Sequence, residues 1–142
     1  MPLPTVPSAP NRSLPSTFRA NMDDFLAWMR TVFVDGIGYG TGAGGQVTQI
    51  TSRVTGVTLN KPCGTITLVS AAGSPTWSSF VVTNFSIEIT DTIIVTQRSG
   101  ANSYQFATKA GAGSFTLSVS AFAGTATEAP NINFAIIKSV ST

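Results

Sequence analysis

The feature that most constrains the fold is a series of short segments, running from Gln46 to the C-terminus, in which apolar residues alternate with serine or threonine. The alternation is clearest at 114–119, where hydroxyl residues separate Phe115, Leu117 and Val119. A period of two places such apolar residues on one face of a β-strand. The sequence therefore predicts a mostly β domain over 46–142, an antiparallel β-sandwich of jelly-roll-like form.

Turn sequences rich in glycine, proline and asparagine separate the apolar segments, and no helical pattern lies between them. About eight strands at this spacing favour a sandwich and exclude a parallel sheet built from βαβ units. The predicted strands are 47–51, 56–60, 65–69, 78–89, 92–97, 104–108, 114–122 and 132–140.

Two further zones and a connection precede the β region. Residues 1–15 contain five prolines, and because proline fixes φ and lacks an amide donor, this zone is predicted to be an extended arm. Residues 16–34 are predicted to form the one amphipathic helix, and the glycine-rich run 35–45 a hinge. The prolines assigned to partner binding by the arm are Pro2, Pro4, Pro7 and Pro10.

The helix is predicted from apolar residues that recur with the 3.6-residue period of an α-helix. Asp23 and Asp24 lie early and Arg30 lies late, in agreement with the helix dipole. The apolar face can pack on its own domain or dock on another chain, and its position after an arm and before a hinge favours docking. The candidate partner-binding residues are Phe18, Met22, Phe25, Leu26, Met29, Val32 and Phe33.

Composition argues against several classes of partner. Charged residues make up 10% of the chain, well below the level of about 25% in typical soluble domains, whereas serine and threonine supply about a quarter of it. The eight basic residues are scattered, so no nucleic-acid partner is expected. No apolar run approaches membrane-spanning length, and no signal peptide is recognised, so we expect a protein made in the cytoplasm of its host cell. A surface so poor in charge suggests burial in an assembly.

The residue types needed for catalysis or for holding a metal are sparse. The chain has no histidine and a single cysteine, Cys63, so neither a Cys/His metal set nor an activated nucleophile is expected. Glu88 and Asp91 are close in sequence, but they are predicted to belong to a solvated turn. The glycines of 40–45 match a dinucleotide-binding pattern but follow a helix rather than a strand. We therefore expect no enzyme, no metal site and no cofactor.

Aromatic residues of the β region leave one binding alternative open. Trp77, Phe80, Tyr104 and Phe106 could stack on sugars if they lay on the surface of a sandwich. Core packing is the competing interpretation for the two phenylalanines. A module that binds host glycans is therefore retained as an alternative function.

Several segments resemble a module found in small virion proteins of tailed bacteriophages. The segments 42–49, 55–62 and 64–67 are similar to its first part and 132–138 to its last strand, whereas 15–18 with 23–28 resembles the helical preface of phage head and tail appendages. The stretch 72–79 departs from the pattern because it contains a proline and a tryptophan.

The resemblance implies a structural protein of the virion. Its best match in size is a capsid decoration (cement) protein, which would form a homotrimer on the capsid surface and clamp neighbouring major capsid proteins through the arm and helix. The alternative within the same group is an accessory or adaptor of the tail or tail fibre, bound to another virion protein.

Overall fold

The computed structural model describes residues 20–27 and 38–139, and the chain divides after Gly38 into two units that are treated separately. In the first unit, residues 20–27 form helix α1. This confirms helix in the centre of the predicted range 16–34, and the remainder of that range lies outside the described residues, as do the arm 1–15 and the start of the predicted hinge.

The second unit consists of ten strands and their connections, so the prediction of a mostly β domain is confirmed. The strands are β1 Gly44–Thr48, β2 Val57–Thr58, β3 Cys63–Thr67, β4 Ala71–Ala72, β5 Ser78–Thr83, β6 Thr92–Gln97, β7 Ser103–Gly111, β8 Ser114–Ala123, β9 Thr127–Glu128 and β10 Asn131–Ile137.

Eight of these strands form two four-stranded sheets in a sandwich-like arrangement. The first sheet has the order β1-β3-β10-β6, the second has the order β2-β5-β8-β7, and β4 pairs with β9 beside them. The sheets are mixed rather than purely antiparallel, because β1 runs parallel to β3 and β2 runs parallel to β5. Each of these parallel partners is reached by a connection that passes through the opposite sheet, a geometry that strand periodicity does not reveal.

The core lies between the two sheets and is built from the inward-facing residues that the alternation predicted. Phe115, Leu117 and Val119 of β8 are buried, as are Ile132 and Phe134 of β10. The rings of Phe115 and Phe134 meet across the layer with their centroids 5.4 Å apart. One apolar layer therefore holds the sheets together.

Most strand boundaries differ from the sequence prediction by a few residues, and two of the differences have identifiable reasons. Strand β1 begins at Gly44, inside the predicted hinge, because Gly44 and Gly45 pair with Cys63 and Gly64 of β3. Strand β5 ends at Thr83 rather than continuing to residue 89. The next residue, Asn84, is fully buried and its side-chain amide donates a hydrogen bond to the Lys61 carbonyl at 2.6 Å, which turns the chain away from the sheet.

Replacing a core aromatic should destabilise the domain far more than replacing an exposed one in the same strand. Phe115→Ala should lower the free energy of unfolding by about 3–5 kcal/mol, since it leaves a cavity between the sheets. Phe115 is 1% exposed whereas Phe122 is 79% exposed. Phe122→Ala is therefore the matched control and should change stability by less than about 0.5 kcal/mol in chemical denaturation. Equal losses in the two variants would contradict the assigned core.

Candidate functional site

The described part of the predicted docking helix presents apolar side chains on its surface. Met22, Phe25 and Leu26 are 44%, 51% and 43% exposed. They lie on one side of α1, as their spacing requires. The other predicted members of this face, Phe18, Met29, Val32 and Phe33, and the arm residues Pro2, Pro4, Pro7 and Pro10 lie outside the described residues.

One end of the β domain is closed around Asp91, and we call it the Asp91 end. The side chain of Asp91 is fully buried, and its carboxylate accepts hydrogen bonds from the backbone amides of Glu88 (2.8 Å) and Ser139 (3.3 Å). The Lys138 ammonium lies 2.8 Å from it and also donates to the Ser86 carbonyl. The Asp91 carboxylate thus ties the end of β10 to the loop between β5 and β6.

The chain leading from residue 38 joins the β domain at this same end. The Tyr39 hydroxyl donates a hydrogen bond to the carbonyl of Ile136 near the end of β10, and β1 then starts beside Cys63. The connection between β5 and β6 adds two exposed apolar side chains, Phe85 and Ile89.

The opposite end is organised by Arg53, and we call it the Arg53 end. The guanidinium of Arg53 donates from Nε to the Val69 carbonyl (3.0 Å) and from Nη2 to the carbonyls of Ala71 and Glu128 (both 2.9 Å). Its Nη1 donates to the Tyr104 hydroxyl at 3.2 Å, and the guanidinium carbon lies 5.4 Å from the centre of the Tyr104 ring. One arginine therefore joins its own loop to three other segments of the chain.

A second polar network at the Arg53 end is built on Asn102, which is almost completely buried. Its side chain exchanges two hydrogen bonds with the backbone of Ala126, at 2.7 and 2.9 Å. Gly124 is required beside it, since its φ is +96° and a Cβ there would collide with the Asn102 amide. The network fixes the loop that leads from β8 to β9.

The Glu128 carboxylate completes this network. Burial tends to raise its pKa, but the hydrogen bonds donated by the amides of Ala101 and Asn102, together with the Tyr104 hydroxyl, outweigh burial and leave the pKa below its ordinary value. The carboxylate thus accepts hydrogen bonds from the turn between β6 and β7.

A cleft of about 460 Å³ opens at the Arg53 end, between the loop 51–54 and the segment leading into β5. Its floor contains Val69, Val119 and Ala121 beside the Arg53–Tyr104 pair. Hydroxyl side chains supply most of the polar lining, from Thr51, Ser52, Ser74, Thr76, Ser78 and Ser120. Within the described chain, this is a preformed site of the size that accepts small ligands.

The aromatic residues considered for sugar stacking occupy different environments. Phe80 is buried in the core, and Phe106 is half-buried and packs against the core. Tyr104 is held by Arg53 at the edge of the cleft. Trp77 is exposed but does not line the cleft, whereas its neighbours Thr76 and Ser78 do. The four aromatics therefore do not form one platform.

The outward faces of both sheets carry mostly uncharged side chains, which include the half-exposed apolar residues Val81 and Ile94, and Arg98 reaches Thr65 on the first of them. On the first sheet Thr65 donates to Asn133 (2.8 Å) and Thr67 donates to Asn131 (2.6 Å), so hydroxyls and amides pair across strands. On the second sheet the hydroxyls of Ser79 and Ser118 lie 2.7 Å apart. Neutral side chains thus form two flat surfaces that carry little repulsion against a second copy.

Arg53 and the cleft were not recognised from the sequence. The arginine is an isolated basic residue in a hydroxyl-rich loop, and its partners lie at sequence separations of 16, 18, 51 and 75. The one sequence feature near the cleft that stands out is the stretch 72–79, whose proline and tryptophan depart from the phage pattern.

Within residues 20–27 and 38–139, no group of three or more metal-ligating side chains comes together. No helix in those ranges is long and apolar enough to cross a bilayer.

Comparison with known proteins returned no match: no family model, no curated protein and no solved structure is similar to this chain at a significant level. The function of the surfaces described above is therefore inferred from their physical chemistry.

The Asp91–Lys138 pair should give the domain an acid-labile end. The hydrogen bond from Lys138 and the amides of Glu88 and Ser139 hold the pKa of Asp91 below its ordinary value of 3.8, despite its burial. The stabilisation is therefore fully present above pH 3.8 and is lost as the pH falls through the lower pKa of the folded state. The same contact raises the pKa of Lys138 above 10.5, so its stabilisation is lost only as the pH rises beyond that value.

Melting temperatures recorded between acidic and neutral pH test this assignment. Asp91→Asn should lower Tm at neutral pH, and the difference from the unaltered protein should shrink as the pH falls below 3.8. Glu88→Gln is the control, because the Glu88 side chain is exposed and lies 3.8 Å from Lys138. A difference that persists unchanged in acid would refute a role for the Asp91 charge.

Arg53 should be irreplaceable by lysine. Arg53→Lys keeps the charge but cannot reproduce the fork that reaches four partners, and should lower the free energy of unfolding by about 2–3 kcal/mol. Arg98→Lys is the control, since the Arg98 side chain makes one hydrogen bond, to Thr65 at 3.2 Å, from an exposed position. Similar denaturation midpoints for the two variants would mean that the Arg53 contacts contribute nothing specific.

Proposed function

We propose that this chain is a structural protein of a tailed-phage virion, most consistent with a capsid decoration (cement) protein. In this proposal the β domain, a sandwich of jelly-roll-like form, associates into a homotrimer on the capsid surface. The N-terminal arm and helix bind the major capsid protein and so clamp neighbouring capsid subunits.

The observation that carries the proposal is the exposed apolar face of α1, formed by Met22, Phe25 and Leu26. Among the described residues, the members of the core cluster all belong to the β domain. An amphipathic helix with an exposed apolar face matches the way in which such helices bind a groove on a partner.

The neutral outer faces support self-association. Burying charges in an interface requires each one to be paired, whereas hydroxyls and amides can donate and accept with copies of themselves. A trimer presents three arms and three helices to the capsid, and linked weak contacts give high overall affinity through effective concentration. Both parts of the proposal thus follow from the distribution of charge and apolar surface.

We further propose a non-catalytic role. The carboxylates with shifted pKa, Asp91 and Glu128, bind backbone amides and turn segments instead of facing the cleft. The lone thiol of Cys63 lies half-buried beside Gly44 on the first sheet. These groups act in holding the fold.

Substitutions on the helix provide the sharpest test. Phe25→Glu combined with Leu26→Glu should reduce binding to purified undecorated heads of the encoding phage by at least about tenfold, because a charged pair cannot enter an apolar groove. Ala20→Glu combined with Asp24→Glu changes the opposite side of α1 and should bind as the unaltered protein does. Binding is measured by co-sedimentation with the heads, and light scattering should show three copies of the 14.7 kDa chain in solution.

Two results would overturn the proposal. Unaltered binding by the Phe25→Glu, Leu26→Glu variant would remove the helix from the docking role, and a monomer at all concentrations would remove the trimer. Electron microscopy of labelled particles decides the position: label on the tail would replace the capsid role with the tail-accessory alternative.

A further inference from the structure

We propose that the cleft at the Arg53 end binds a saccharide, so that the chain carries a ligand site in addition to its docking surfaces. This inference goes beyond the structural role and does not depend on which virion component holds the protein.

The lining suits a polyhydroxylated ligand because several polar groups in it lack a partner within the described chain. The hydroxyls of Thr51, Thr76 and Ser78 make no side-chain hydrogen bond there, although these residues line the cleft. Sugars are recognised by such groups, because each hydroxyl both donates and accepts. The apolar floor offers contact to the C–H surface of a sugar ring.

Arg53 gives the cleft a positively charged donor in a fixed orientation. Four of its five N–H groups are committed to Val69, Ala71, Glu128 and Tyr104, which leaves one N–H on Nη1 available to a ligand. The arginine pays no further ordering entropy on binding, since the protein already holds it.

No carboxylate lines the cleft to oppose an acidic sugar. The nearest acid in the network, Glu128, directs its carboxylate to the amides of Ala101 and Asn102. The site therefore accepts neutral sugars, and it favours sugars that carry a carboxylate through the Arg53 charge. The volume of about 460 Å³ matches a small ligand such as one or two sugar units.

The cleft lies at the end of the β domain away from the point where the chain enters. Tyr39 contacts Ile136 at the Asp91 end, whereas the cleft is bounded by residues 51–54 and 74–78 at the other. Attachment through residues 1–34, as proposed above, leaves the residues that line the cleft free to bind a ligand. Saccharides of a bacterial cell surface would then reach the site, and several copies on one particle would add their weak affinities.

The test uses the full chain labelled with ¹⁵N and three probes: methyl galactoside, N-acetylglucosamine and galacturonic acid. At least one probe should shift amide signals of 51–54, 74–78 and Tyr104 in a saturable manner. Tighter binding of galacturonic acid than of the two neutral sugars would show that the Arg53 charge determines specificity. Equal binding of all three would identify a site for neutral sugars.

Two pairs of variants localise the binding. Ser78→Trp fills the cleft and should weaken the affinity at least about tenfold, whereas Ser79→Trp, next in sequence but on the outward face, should leave it within about twofold. In a second pair, Thr51→Trp should likewise weaken the affinity, whereas Ile50→Trp, beside it but outside the cleft lining, should not; both side chains are exposed.

The proposal fails if none of the three probes binds, if the shifted signals map away from the cleft, or if both members of each pair lose affinity equally. These results leave the capsid-binding proposal untouched, because sedimentation with heads reports on attachment to the capsid and not on the cleft. Conversely, loss of head binding would not affect sugar titrations of the isolated chain.

Discussion

The apolar layer between the two four-stranded sheets is the interaction on which the rest of the domain depends. Phe115, Leu117, Ile132 and Phe134 must all face inward, and a shift of one residue in any strand would turn them to solvent. The register of the sheets is therefore fixed by burial. Once it is fixed, the hydroxyl residues between them must face outward, and the neutral outer surfaces are a direct consequence of the core.

The loops obey a different rule, because they bury backbone without the regular bonds of a sheet. Three nearly fully buried amides supply the missing partners: Gln49 bonds to Thr55, Asn84 to Lys61, and Asn102 to Ala126. An uncharged amide offers both a donor and an acceptor and avoids the penalty of burying an unpaired charge. The low charge of the chain is thus a property of its interior connections as well as of its surface.

The sequence predicts strand positions better than it predicts their partners. Thr92–Gln97 is found with the predicted bounds, because its alternation and its flanking turns are both explicit. The parallel pairing of β1 with β3 is not predictable in this way, since period identifies a face and says nothing about a neighbour. The two-residue strands β4 and β9 are too short to show any period. Arg53 likewise could not be assigned, because its role arises from partners distant in the chain.

The loops at the two ends of the β domain are held by different interactions, an ion pair at one end and an arginine at the other. At the Asp91 end, an ion pair and the Tyr39 contact hold the start and finish of the β domain together. At the Arg53 end, a single guanidinium spaces the loops apart and keeps a cleft open where apolar side chains alone would have closed it. A cleft held open by bonds to backbone carbonyls can change its lining hydroxyls without losing its shape. In the two proposals made here, attachment and ligand binding are thus assigned to different parts of the chain.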